Sequence, residues 1–151
     1  MGAEEQLAAF IDKFEPQVAQ RTREVLAAMR ARLPGAVIPV YDNYNALAIG
    51  FGPTDRIKDI IFSIAVYPRW VSLFFNYGVG LPDPDGLLKG QGGQVRHIVL
   101  DEGPATLERP GVRALMEAAL EKAGRPLDPD NPQRLIIKSV SAKQRPRRSG
   151  G

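Results

Sequence analysis

Ala46-Leu47-Ala48-Ile49-Gly50-Phe51, then Ile60-Ile61-Phe62-Ser63-Ile64-Ala65-Val66-Tyr67, then Trp70-Val71-Ser72-Leu73-Phe74-Phe75-Asn76-Tyr77 are the three stretches that decide the fold. Leu47, Ile49 and Phe51 alternate with Ala46, Ala48 and Gly50. Ile60, Phe62, Ile64 and Val66 alternate with Ile61, Ser63, Ala65 and Tyr67, and Val71, Leu73, Phe75 and Tyr77 with Trp70, Ser72, Phe74 and Asn76. A period of two is that of a strand, whose successive side chains point to opposite faces. Gly52-Pro53-Thr54-Asp55 and Pro68-Arg69 have turn chemistry and separate the three runs. Strands joined this tightly are antiparallel neighbours, because a parallel partner needs a crossover of about a dozen residues.

Outward from this meander, Val37 to Tyr41 reads as an edge strand, since Pro39 cannot donate to a central ladder. Gln94 to Leu100 reads as a fifth strand beyond the Gly-, Pro- and Asp-rich loop Gly78–Gly93. Leu135, Ile136, Ile137 and Val140 suggest a last strand after the proline-rich connector Arg125–Pro132. The period shifts to helical elsewhere. Leu7, Phe10, Ile11 and Phe14 mark a short helix over 4–14. Val18, Thr22, Val25, Leu26, Met29 and Leu33 mark a second, with Pro16 in its first turn and Pro34-Gly35 ending it. Val112, Leu115, Met116, Ala119 and Leu120 give a third, from Pro110 to Ala123. The expected fold is therefore α+β: an antiparallel meander of about five strands, with the N-terminal helices and a C-terminal helix packed on one face.

At 151 residues, with 44% hydrophobic and 25% charged, the chain has the size and composition of one globular domain. We place that domain at residues 1–142. It contains no cysteine, which fits a reducing compartment and removes thiol catalysis and thiolate metal sites. Two early acids and no long apolar core at the N-terminus argue against a signal peptide, and no stretch approaches 18 apolar residues. We expect a cytoplasmic protein with no membrane partner. The net charge of +3 is uneven: residues 134–151 hold six bases and no acid, leaving 14 bases against 17 acids in residues 1–133. Residues 143–151 are read as a basic, disordered tail; nucleic acid is expected at most weakly, through that tail.

No catalytic constellation is visible. His97 is the single histidine, and a lone histidine between Val95 and Val99 on one strand face is usually structural. No serine sits in a Gly-x-Ser-x-Gly elbow. Gly90-Gln91-Gly92-Gly93 precedes a strand instead of opening a helix, so it is not a phosphate loop. Lys89 and Arg96 flank it and form a candidate anion pair, against the competing reading of a surface arginine. Asp83, Asp85, Asp101, Glu102, Asp55 and Asp59 match no calcium-loop spacing and read as solvated turn acids. Tyr44, Tyr67, Trp70 and Phe74 are the aromatic residues chosen as the floor of a ligand pocket on one sheet face, bordered by Lys89, Arg96 and His97.

From about Phe10 to Ala123 the chain resembles the domain-of-unknown-function 1801 family, the YdhG-like proteins. The resemblance is carried by Pro16-Gln17-Val18 through Leu33-Pro34-Gly35-Ala36, by Tyr41-Asp42-Asn43-Tyr44, by the strands around Ala46–Phe51 and Ile64–Phe75, and by Leu88-Lys89-Gly90-Gln91-Gly92 before Val95-Arg96-His97-Ile98. It implies an antiparallel sheet covered by helices. Some members are described as frataxin-like iron chaperones, so it implies iron, held by surface carboxylates, as the candidate metal and iron handling as the alternative function. Our leading expectation is a non-enzymatic module that binds a small ligand or a protein partner on the sheet face.

Overall fold

The computed structural model describes residues 1–149; Gly150 and Gly151, the end of the expected tail, lie outside the described residues. Three α-helices, α1 (Ala3–Asp12), α2 (Pro16–Arg32) and α3 (Pro110–Lys122), cover a six-stranded sheet. Its strands are β1 (Ile38–Asp42), β2 (Leu47–Phe51), β3 (Phe62–Val66), β4 (Val71–Phe75), β5 (Arg96–Val99) and β6 (Leu135–Val140), in the order β5-β4-β3-β2-β1-β6. The α+β class and the antiparallel run β1 to β5 agree with the periodicity.

Two expectations about the sheet are corrected. The sheet has six strands and is mixed, because β6 pairs parallel with β1, with a register shift at Val40/Tyr41. The pairings make β5 and β6 run in the same direction, and α3 lies between them in sequence, so the last connection is a helical crossover from one edge of the sheet to the other. Turn chemistry fixes the sense of consecutive hairpins, but not that of a strand arriving by a crossover. The second correction is that β1 is not an edge strand. Val37 and Gly52 exchange both backbone hydrogen bonds (2.8 and 3.1 Å), so two residues on, Pro39 turns its missing N–H toward Gly50 of β2. One ladder bond is lost there. It is tolerated because Ile38 N–H holds Arg134 O at 2.7 Å on the other side. Gly50 also leaves room for the ring: a Cβ there would stand 3.2 Å from Pro39 Cγ.

One row of side chains crosses all six strands on the helical face: Ile137, Val40, Ile49, Ile64, Leu73 and Ile98. Leu7, Phe10 and Ile11 of α1, Val25 and Met29 of α2, and Val112, Leu115 and Met116 of α3 join the same buried cluster. Each large side chain buried this way contributes roughly 1.5–3 kcal/mol before conformational entropy is charged. Gln133 fixes where β6 begins: its Nε2 donates to Arg30 O and Leu33 O, both at 2.8 Å, at the C-terminus of α2. Gly35 there has φ +80°, and a Cβ would lie 1.8 Å from Asp128 O. Only glycine lets the connector close over this helix end.

Candidate functional site

The opposite face of the sheet has a different composition. Gly50, Ser63, Phe74 and His97 form one cross-strand row, and Ala48, Ala65, Ser72 and Val99 the next. Small residues in the middle and rings around them make a hollow of about 540 Å³. Ala48, Ser63 and Ala65 lie along it; Tyr44, Tyr67 and Phe74 stand at its sides. The polar groups at hand are Asn43, Asn45, Asn76, Ser141 and Ser63, whose Oγ donates to Asn76 Oδ1 at 3.2 Å. The alternation of the meander puts these residues here: every residue between two core positions of β2, β3 and β4 faces this side.

Of the residues chosen from sequence, Tyr44, Tyr67 and Phe74 meet in this hollow. Tyr44 is 49% exposed on the β1–β2 turn. Tyr67 opens the turn after β3, closed by Tyr67 N–H to Trp70 O at 2.9 Å. Its ring stacks on Trp70 with centroids 4.8 Å apart and 20° between planes. Burial pushes the Tyr67 hydroxyl pKa up. His97 stacks on Phe74 at 5.3 Å and 28°. Burial, and next the charge of Lys89, hold the imidazole below its usual pKa, so it is neutral at pH 7. Lys89 joins this corner through its backbone, which exchanges hydrogen bonds of 2.9 and 2.8 Å with His97; the glycine-rich segment thus folds back on β5 as one arm of a hairpin.

Arg96 does not border the hollow. It is paired with Phe75 and so faces the helical side. Its stem packs where a side chain on Gly78 would be, 2.7 Å from that Cβ position. Its Nη1 donates to Gly92 O (2.6 Å) and Val95 O (2.8 Å). Strand alternation separates Arg96 from His97, so the expected Lys89–Arg96 anion pair does not form around the aromatic floor.

The sequence reading missed a buried charge cluster and the chain segment it holds. Asp42, at the end of β1, shares its face with Leu47, Val66 and Val71 and is 0% exposed. Lys13 Nζ donates to its Oδ2 at 2.7 Å and Arg147 Nη2 to its Oδ1 at 2.8 Å. Burial alone would raise the Asp42 pKa. Hydrogen bonds from Lys13, Gln144 and Arg147, with the Lys13 charge, outweigh it, and the carboxyl sits below its ordinary range. Arg147 is itself buried, beside the Phe14 ring (5.6 Å). Residues 143–149, expected as a disordered tail, therefore lie against the domain. Arg145 N–H donates to Tyr44 O at 2.9 Å, and Arg148 donates to Lys13 O and Asp12 O at the end of α1. The hint was Asp42 itself, an acid in an apolar strand register, but its partner lies 105 residues away.

A second hollow, about 380 Å³, lies by the C-terminus of α3 against Ile61, Ala119 and Ala123. Its polar groups are largely spent: Lys122 Nζ is held by the Tyr77 and Val79 carbonyls, and the Tyr77 hydroxyl donates to Lys58 O. Of the six turn acids singled out from the sequence, five are engaged, Asp85 being the exception among the described residues. Asp83 accepts from Leu87 N–H and Leu88 N–H, Asp59 from Thr54, Asp55 from Lys138, and Asp101 and Glu102 from Arg109. Among the described residues no three His, Cys, Asp or Glu side chains group as metal donors. Nor is any helix there long and apolar enough to cross a membrane. No protein-family model, no curated protein and no solved structure matches the chain.

Proposed function

We propose that this domain is a non-enzymatic binding module, and that the hollow on the helix-free sheet face takes a small, uncharged, planar molecule. The observation that supports the reading is the pairing of a small-residue floor, Ala48, Ser63 and Ala65, with ring walls, Tyr44, Tyr67 and Phe74, around about 540 Å³. That volume lies within the ordinary range for small-molecule sites, roughly 300–1,000 Å³, which are mostly apolar with a few placed polar groups. Asn43, Asn45, Asn76, Ser63 and Ser141 are those groups here. Membership of the YdhG-like family and a cytoplasmic setting belong to the same proposal; the order of elements supports the first, the absence of cysteine the second. Iron handling is the poorer reading, because among the described residues no three His, Cys, Asp or Glu side chains group as metal donors.

The test uses indole and 2-naphthol as neutral probes and backbone amide shifts as the readout. Shifts confined to Ala48, Ser63, Ala65 and Phe74, and lost in Ala48→Phe, are the expected result. Shifts that persist in Ala48→Phe, or that scatter over the helical side, would sink it. A protein side chain as the true occupant would show as no response to either probe.

A further inference from the structure

The docked C-terminal segment builds a surface that neither the tail nor the fold has alone. Arg145 and Arg148 come to lie beside Arg69 and Trp70, and these four line one broad hollow of about 800 Å³ at the rim of the open face. Arg69 and Trp70 also line the adjoining hollow, of about 290 Å³, together with Arg21. No aspartate or glutamate lines either one. Among the described residues none of Arg21, Arg69, Arg145 and Arg148 makes an ion pair, whereas Arg23, Arg30, Arg32, Arg109, Arg113 and Arg147 all do; Arg56, Arg96, Arg125 and Arg134 also form none but line neither hollow. Arg148 spends Nε and Nη2 on carbonyls at the end of α1, and Arg145 lies over the Tyr44 ring at 5.8 Å. Between them Trp70, stacked on Tyr67, remains 44% exposed.

We propose that this strip binds single-stranded nucleic acid, its arginines against the phosphates and the Trp70 ring against a base. Uncompensated guanidinium charge selects a polyanion. Exposed rings set among the charges narrow the choice, because bases offer flat faces for stacking only when unpaired, and each base stacked on an aromatic ring adds affinity independent of sequence. An acidic peptide satisfies the arginines equally but has no use for the ring. The site is distinct from the hollow proposed for a neutral ligand, although the two share Tyr67 and Asn45, so either proposal can fail without the other.

Trp70 is the single tryptophan of the chain, so its fluorescence reports on the site. The full chain is titrated at low salt with a short oligouridylate, and with polyglutamate as the acidic-peptide probe. Expected are saturable quenching by oligouridylate, affinity that falls as salt rises, and a loss of at least tenfold in Arg69→Gln/Arg145→Gln. That double variant leaves the Arg147–Asp42 pair in place. With a labelled oligouridylate and an anisotropy readout, Trp70→Ala should lose about fivefold or more while Trp70→Phe keeps most of the affinity. Unchanged affinity in Trp70→Ala, or polyglutamate binding as tightly as oligouridylate, would overturn the proposal in favour of an acidic peptide. No binding of either probe would overturn it outright.

Discussion

The two faces of the sheet are made from the same strands and obey opposite rules. On the helical face, Val40, Ile49, Ile64 and Leu73 stand side by side, each fully buried. One residue along, Ala48, Ala65 and Ser72 meet in the neighbouring row. The first row fills volume; in the second, Ala48 and Ala65 are small, and larger residues at those two positions would fill the hollow. A strand's alternation therefore encodes two surfaces at once, one that packs against the helices and one that stays open to solvent around the hollow. The Asp42 cluster sits at the end of the stabilising face, where a polar pair stands in for apolar packing.

The sharpest break of the comparison is Leu73→Ala against Ser63→Ala. Both lie in the central strands, but the first opens a cavity in a packed row and should cost about 2–5 kcal/mol in urea unfolding. The second should stay within about 0.5 kcal/mol, as for a surface change. Comparable losses would mean that the two faces are equally packed.

Next in size, Asp42→Asn should cost about 3 kcal/mol or somewhat more, because it strips the buried Arg147 of its charge partner. It should also flatten the acid limb of the stability curve. Asp42 titrates lower in the fold than in the unfolded chain, where the value is about 3.9. Its contribution is therefore complete above that value. It is lost as pH falls, because the unfolded state takes up the proton first, until the folded carboxyl is itself protonated. Truncation after Ala142 should act in the same direction but less, since Lys13 remains. An acid limb as steep in Asp42→Asn as in the parent would show that other carboxylates set it.

The smallest effect is expected at His97. Its pKa is lowered in the fold, so the unfolded state binds the proton more readily below about 6.5. Stability should be highest above that pH and decline as pH falls toward 5. His97→Phe should remove that slope and keep the stack on Phe74, measured by thermal unfolding across the range. A slope that survives would place its origin elsewhere.

Most of the strands and all three helices were legible because periodicity is a local property. Ile64-Ala65-Val66 alternates whatever it pairs with, and Leu115-Met116-Ala119 makes a stripe on any helix. Trp70 and Phe74 could be assigned to one side of their strand for the same reason, whereas Tyr44, on the β1–β2 turn, could not. Arg96 was misplaced because its nearness in sequence to the glycine-rich segment and Lys89 was taken to put it on the aromatic face, although as the partner of Phe75 it faces the helical side. Pro39 was misread because its missing donor argued for an edge, while the vacancy it needed was supplied by Gly50 on the neighbouring strand.

By itself the sequence determined which segments are strands and helices, which side of each is apolar, and that β2, β3 and β4 form a meander. Those follow from side-chain spacing and short turns. Tertiary structure alone decided that β6 runs parallel beside β1, that Asp42 meets Lys13 and Arg147, and that Arg145 and Arg148 join Arg69 around Trp70. Each of these joins residues far apart in the chain. No local periodicity records such a meeting, because its free energy comes from burying and pairing groups only after the whole sheet has formed.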